Sequence, residues 1–427
     1  MIHPAGQPSL VYADAQGNIT DFQDLHAAGM SAGNFLLPSK NDFIPLPEGS
    51  ELFVLPGRLP IGCDVNSGET LLLENDPFNS EKKIQAVAAF MSPAHTAILN
   101  SAYQTSNNAP RLPLFAYTAI GWYKDQFWTT AFRSDKDIRQ DSAQFNQTEI
   151  NSKTVKKLKQ HKDNRLIQHL GKCCLTYACP AARNYFLGRW EAPLPTSPVC
   201  NARCVGCISL QTSGKCSATQ DRIQFVPTSA EIAQIAIPHL QKAEDAIVSF
   251  GQGCEGEPLL QADTLEKAII AIRKKCARGT INLNSNASMP QAVKRLASAG
   301  LDSLRVSLNS AQERYYHNYY RPKNFSLSDV FESIRVMKEA KKFVSLNYFI
   351  LPGFTDSTKE FEALCVLLST LQPDRIQLRN LNMDPEWYLQ SIDFGKSISS
   401  MGMRNWIDKI KNNFPKLQLG YYNPSIR

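Results

Sequence analysis

From about Thr196 onward, apolar β-branched runs alternate with amphipathic stretches of helical period, and this alternation restricts the chain to a sheet flanked by helices. The runs predict strands at 195–200, Ile247–Phe250, 280–284, Ser303–Leu308, 345–350 and 375–378. Helices are expected between them, at 229–243, 264–278, Pro290–Ala299, 327–341 and Thr358–Leu371. Thr228 or Ser229 ahead of Glu231, and Ser326 ahead of Asp329, are start signals, and Gly279 and Gly300 are stop signals. Six β/α units with short connections predict an α/β protein, a partial (β/α)6 TIM-like barrel over residues 196–382. In such folds ligands sit where strands end and loops begin.

The remainder of the chain reads differently. Residues 1–152 are rich in Pro, Gly, Asn and Asp and predict a separate N-terminal β-containing domain; its clearest element is a hairpin built from 114–120 and 126–132. A basic, helical connector is expected from 153, carrying Lys153, Lys156, Lys157, Lys159, Lys162 and Arg165. It extends to 195 and includes Cys173, Cys174 and Cys179. Residues 383–427 form a short C-terminal extension, with a helix at 401–412 and a strand at 417–421. A net charge of +7 permits a polyanionic partner without requiring one, so nucleic acid keeps only weak support. Residues 1–10 lack a secretory signal pattern and no run reaches 18 apolar residues. A cytoplasmic protein without a membrane span is therefore expected. Eleven cysteines in a reducing compartment read as metal ligands before disulfides.

Three of those cysteines stand in the run Cys200-Asn201-Ala202-Arg203-Cys204-Val205-Gly206-Cys207, after the first expected strand. Three thiolates in one short loop can hold three irons of a cubane cluster and leave the fourth iron open to an exogenous ligand. A cluster that only carries electrons is normally closed by four protein thiolates. The competing accounts are a structural zinc site, which lacks its second cysteine pair here, or three unrelated core thiols.

This C-x3-C-x2-C run after a strand resembles the radical S-adenosylmethionine (SAM) superfamily, over about residues 196–382. The resemblance implies a [4Fe-4S] cluster on Cys200, Cys204 and Cys207. It further implies reductive cleavage of SAM to a 5'-deoxyadenosyl radical, hydrogen-atom abstraction from a substrate, and a flavodoxin- or ferredoxin-type reductant. Gly256-Glu257-Pro258, at the end of the second strand, resembles the family's G-G-E-P motif, with Glu255 in place of the first glycine. The same likeness suggests cofactor contacts from Asn284, Ser307, Asn309 and Leu351, and a substrate contact from Arg379. Tyr315, Tyr316, Tyr319 and Tyr320 fall at helical spacing and read more simply as a packing stripe.

Cys173, Cys174 and Cys179, with Cys216 beyond the main motif, are candidate ligands of an auxiliary iron–sulfur cluster; buried free thiols are the plainer account. Cys254, beside Glu255, is a candidate ligand or radical relay near the implied SAM site, with a small buried filler the plainer account. The substrate is open among peptide or protein, RNA and small molecule. The alternative to a radical enzyme is a non-catalytic iron–sulfur or zinc protein serving electron transfer or partner binding.

Overall fold

The computed structural model describes residues 6–112, 117–211, 216–395 and 399–427. They form two compact units: 1–136 with 349–365 and 378–415, and 137–348 with 366–377 and 416–427.

The first unit is built on an antiparallel sheet. Its central path runs His95–Ala97, Gln126–Arg133, Ile120–Tyr123, Ser9–Asp14, Ile19–Ala27, Arg58–Asp64 and Tyr103–Thr105. The long strand Asn79–Phe90 pairs with Ser9–Asp14 and with Glu51–Leu55. Its residues alternate between two cores, Ala86 and Ala88 in one and Val87 and Ala89 in the other, as a period of two requires. The expected hairpin is present as Ile120–Tyr123 paired with Gln126–Arg133. Residues 113–116, part of its expected first strand, lie outside the described residues. Lys124 and Asp125 supply the two positive φ angles that a tight two-residue turn needs.

Most of the sheet on which the cysteine loop depends falls in the second unit, while its residues 349–350 and 378–380 are grouped with the first. Among the described residues this sheet has seven strands in sequence order: β1 (Glu191–Leu194), β2 (Ile247–Phe250), β3 (Thr280–Ser285), β4 (Ser303–Leu308), β5 (Phe343–Ile350), β6 (Arg375–Asn380) and β7 (Gln418–Gly420). Pairing is parallel from β1 through β5 and between β6 and β7. Helices Ser229–Lys242, Ala262–Lys275, Pro290–Ala299, Leu327–Glu339 and Thr358–Leu371 intervene. Thr228 and Glu231, and Ser326 and Asp329, form the reciprocal caps that the sequence signals. Gly300 ends its helix with φ 117°.

Two corrections concern the lead-in to the cysteines. The first parallel strand is Glu191–Leu194, and 195–200 is not a strand. Pro195 and Pro198 have no amide hydrogen to give to a ladder. The amides of Thr196 and Ser197 between them donate to the Glu255 carboxylate instead, at 2.7 and 2.9 Å. The expected basic connector is not one helix: Gln147–Gln160, Arg165–Leu175 and Pro180–Leu187 occupy it, and Asn164 caps the second through a bond from Ile167 N.

One face of the sheet is polar although the strands are buried. Asn282 donates to Ser249 Oγ (3.1 Å) and to Asn284 Oδ1 (2.7 Å), and Ser303 donates to Asn282 Oδ1 (2.7 Å). Gln377 on β6 donates to Asn423 Oδ1 at 2.9 Å, and Asn423 Nδ2 donates to Glu191 on β1 at 2.8 Å. A residue just past the last strand therefore joins side chains of the first strand and the sixth. Among the described residues, no helix is long and apolar enough to cross a membrane.

Candidate active site

The loop 198–207 is fixed from three directions. From β2, Gly256 N donates to Ser197 O (2.7 Å) and Glu257 N to Val199 O (2.8 Å). Gly256 has no space for a side chain, since a Cβ there would overlap the Val199 carbonyl. The buried Glu255 carboxylate accepts from the amides of Gln252, Thr196 and Ser197 and from Thr196 Oγ1, which anchors the residues leading into the loop. From the helix Glu313–Tyr320, the carbonyls of Tyr320 and Tyr319 accept Arg203 N (2.9 Å) and Val205 N (3.0 Å). From the end of β3, Asn286 Nδ2 donates to Asn201 Oδ1 (2.8 Å), and Asn201 Nδ2 donates to Ser288 Oγ (2.9 Å).

Held in this way, Cys200, Cys204 and Cys207 are half-buried thiols near enough to influence one another's ionisation. Burial pushes the Cys200 thiol up to about 11, with the Glu257 charge adding to the effect. Burial, then Cys200 and Cys207, hold Cys204 well above the ordinary thiol value. Protons must leave these sulfurs when a metal binds. Arg222 offers compensation, its Nη2 donating to Cys207 Sγ at 3.5 Å and its Nε to Ser209 Oγ at 3.1 Å. Three thiols that feel one another's charge on a loop held by its backbone, beside a position that only glycine fits, form a donor set that a cluster could use.

The other expected contacts are distributed unevenly. Glu257 is fully enclosed, and its carboxylate accepts from Leu259 N, Ser285 Oγ and Asn286 N at 3.0, 2.6 and 2.9 Å. Burial pushes it up to about 7. Asn284 donates to Gly251 O at 2.7 Å, and buried Asn309 donates to Tyr315 O at 3.1 Å. Ser307, half-buried, closes the same strand end. All of these belong to the second unit, whereas Leu351 and Arg379 belong to the first. The tyrosine helix does pack as expected, with Tyr316, Tyr319 and Tyr320 buried, but it also lends its last carbonyls to the cysteine loop. Arg222 and Glu255 were not foreseen as partners of the loop. Arg222 lies 15 residues past Cys207 with no local motif, and Glu255 reads only as a departure from glycine.

Of the proposed auxiliary set, Cys173 lies with His169 and Cys254, their ligating atoms all within 4.8 Å of one another. Cys174 instead meets Thr154 Oγ1 at 3.4 Å. The Cys173 thiol is held low, first by a hydrogen bond from Cys254 and then by His169, against the opposing effect of burial. Cys179 N donates to Cys173 O at 3.1 Å.

Residues 194–365 match the family model of the radical SAM superfamily. A GTP 3',8-cyclase from Lactiplantibacillus plantarum is 27% identical over 224 residues, 50% of this chain and 59% of that relative; the chain thus spans less than two thirds of its length. Among solved structures, a radical SAM methyltransferase from Sphaerobacter thermophilus matches at TM-score 0.38 and 15% identity, covering 53% of this chain and 63% of that one. Streptococcus suis SuiB bound to S-adenosylmethionine matches at TM-score 0.40 and 13% identity, over 64% and 62%.

Proposed function

We propose, from the premise that residues 194–365 of this chain belong to the radical SAM superfamily, that the enzyme holds a [4Fe-4S] cluster on Cys200, Cys204 and Cys207 and reductively cleaves SAM there. When bound, such a cluster supplies an iron without a protein ligand, where SAM chelates and, on one-electron reduction, yields methionine and a 5'-deoxyadenosyl radical able to abstract a hydrogen atom. The observation that carries this reading is the three-sided anchoring of the loop 198–207, which presents three thiols beside the close backbone approach at Gly256.

The chain's own residues then divide the work. Arg222 holds the Cys207 sulfur in place by its hydrogen bond. Glu255 and Glu257 spend their oxygens on backbone amides and hydroxyls of the surrounding loops, so they orient the site. The cofactor contacts fall to Gly256, through its backbone, and to Asn284, Ser307 and Asn309 at the strand ends. The polar sheet face supports a partial barrel, since Asn423 bridges β1 and β6 as the curved wall of a barrel would allow. The electron comes from a flavodoxin- or ferredoxin-type reductant, and the substrate is read no further than a molecule with an unactivated C–H bond.

The test is anaerobic reconstitution with iron and sulfide, followed by SAM and dithionite. About four irons per chain with release of 5'-deoxyadenosine are expected, and both should vanish in Cys204→Ala. Zinc held by Cys200, Cys204 and Cys207 in place of iron, or iron without any deoxyadenosine, would leave a metal-stabilised binding protein in place of the enzyme.

A further inference from the structure

His169 and Cys173 stand four residues apart on the helix Arg165–Leu175, so both project from one face. The loop after β2 brings Cys254 to the same point. His169 Nε2 and Cys173 Sγ are 3.6 Å apart, and all three ligating atoms fall within 4.8 Å of one another. Tetrahedral zinc, with Zn–S of about 2.3 Å and Zn–N of about 2.0 Å, sets its sulfur and nitrogen ligands about 3.6 Å apart. A cubane cluster places each thiolate on a separate iron and spreads the sulfurs farther than that. The 3.6 Å separation of His169 and Cys173, with Cys254 close by, fits a single ion.

We propose that His169, Cys173 and Cys254 bind one divalent ion of the zinc class, at a site separate from the loop 198–207. Imidazole and thiolate are the donors such an ion selects. Cys173 and Cys254 are buried, and His169 also lines a cavity of about 510 Å3 with Lys172, Tyr177, Asp221 and Arg222. That cavity gives an ion its entry path. The fourth position is closed by Cys179 or by water. Because Cys254 lies two residues before Gly256, the ion would staple the helix Arg165–Leu175 to the same loop that meets Val199 and Cys200. Cys174, turned toward Thr154, takes no part.

The site is tested without reliance on the radical SAM reading, in full-length protein carrying Cys200→Ala, Cys204→Ala and Cys207→Ala. Titration with Co2+ should show uptake of about one equivalent with tetrahedral visible bands and a thiolate charge-transfer band, displaced by Zn2+. Adding Cys254→Ser or, separately, His169→Gln should weaken Co2+ binding by more than about tenfold, with far-UV circular dichroism confirming that each variant is folded. Absence of stoichiometric uptake, or uptake that neither substitution changes, would overturn the site. So would a Cys173–Cys254 disulfide in the anaerobically isolated protein, or assembly of about four irons there with sulfide.

Discussion

At the scale of single residues, the cysteine loop is governed as much by what is missing as by what is present. Gly256 sits where any Cβ would strike the carbonyl of Val199, a backbone atom that cannot step aside without moving Cys200. Gly253, three residues earlier, would meet only the ends of the Gln220 and Ile208 side chains, which can swing away. The two glycines therefore separate a geometric requirement from mere proximity. Gly256→Ala should lower reconstituted iron and 5'-deoxyadenosine yield by more than about tenfold, as displacement of a reacting group by an ångström does. Gly253→Ala should stay within about twofold. Iron analysis and deoxyadenosine assay on both proteins check this, and equal losses in the two would remove the special role of Gly256. Glu255 follows the same logic in reverse. Where the family motif has glycine, this chain has a carboxylate that accepts the amides of Thr196 and Ser197, two donors that the proline-flanked lead-in takes out of the sheet. In the sequence it was legible only as an exception, because its partners lie 58 and 59 residues upstream.

At the scale of elements, periodicity located the helices and strands of the second unit well. Ser303–Leu308, Pro290–Ala299 and Thr358–Leu371 have the ends that their apolar runs and caps indicate. The first strand lies at Glu191–Leu194 and not at 195–200, where Thr196 and Ser197 give their amides to Glu255. The connector was read as one helix because Asn164 in mid-run passes for a polar surface residue until its capping bond is seen. The polar face of the sheet follows a period of two: Asn282 and Asn284 on β3, Ser303, Arg305 and Ser307 on β4. Fully buried parallel strands normally read as continuous apolar runs, so this alternation marks a face reserved for ligands or for a hydrogen-bond network. The tyrosine helix Glu313–Tyr320 shows why a packing stripe and a functional element need not be alternatives. Its buried rings fix the carbonyls that hold Arg203 and Val205. The Tyr316 hydroxyl is buried and has no hydrogen-bond partner among the described residues, with the Tyr320 ring centroid 4.6 Å from its own. Tyr316→Phe should thus change stability by no more than about 1 kcal/mol, while Tyr316→Ala should cost about 3–5 kcal/mol through the cavity it leaves. Urea unfolding of the apo protein reads both, and a large loss in the Phe variant would show that the hydroxyl is engaged after all.

At the scale of the whole molecule, two groups on the helix Ser229–Lys242, His239 and Glu231, contribute to the acid sensitivity of the fold. His239, on the helix Ser229–Lys242, has Nε2 2.8 Å from Trp190 O and packs near the Tyr185 ring. Burial pushes its imidazole down to about 4 from the ordinary 6.5; Lys157 adds to the shift, while the Trp190 carbonyl and Glu191 oppose it. The unfolded chain takes up a proton at this position below about pH 6.5 that the folded protein refuses until about pH 4. The His239 contribution is therefore full above pH 6.5 and is lost as pH drops through that window. A shift of this size corresponds to on the order of 3 kcal/mol. Glu231 contributes in a lower window. Its hydrogen bonds with Arg165 hold it down to about 2, so its share is lost only as pH falls from about 4.5 toward 2. The two effects separate on the pH axis. His239→Gln keeps an amide donor for the Trp190 carbonyl and removes the titration. Measured against that variant at each pH, the thermal midpoint of the unsubstituted protein should fall between pH 6.5 and 4.5, because the raised Glu255 and Glu257 carboxyls, which gain stability as pH drops, are common to both proteins. Parallel curves across the upper window would mean that the imidazole is protonated in the folded protein, and that the acid sensitivity arises at other groups.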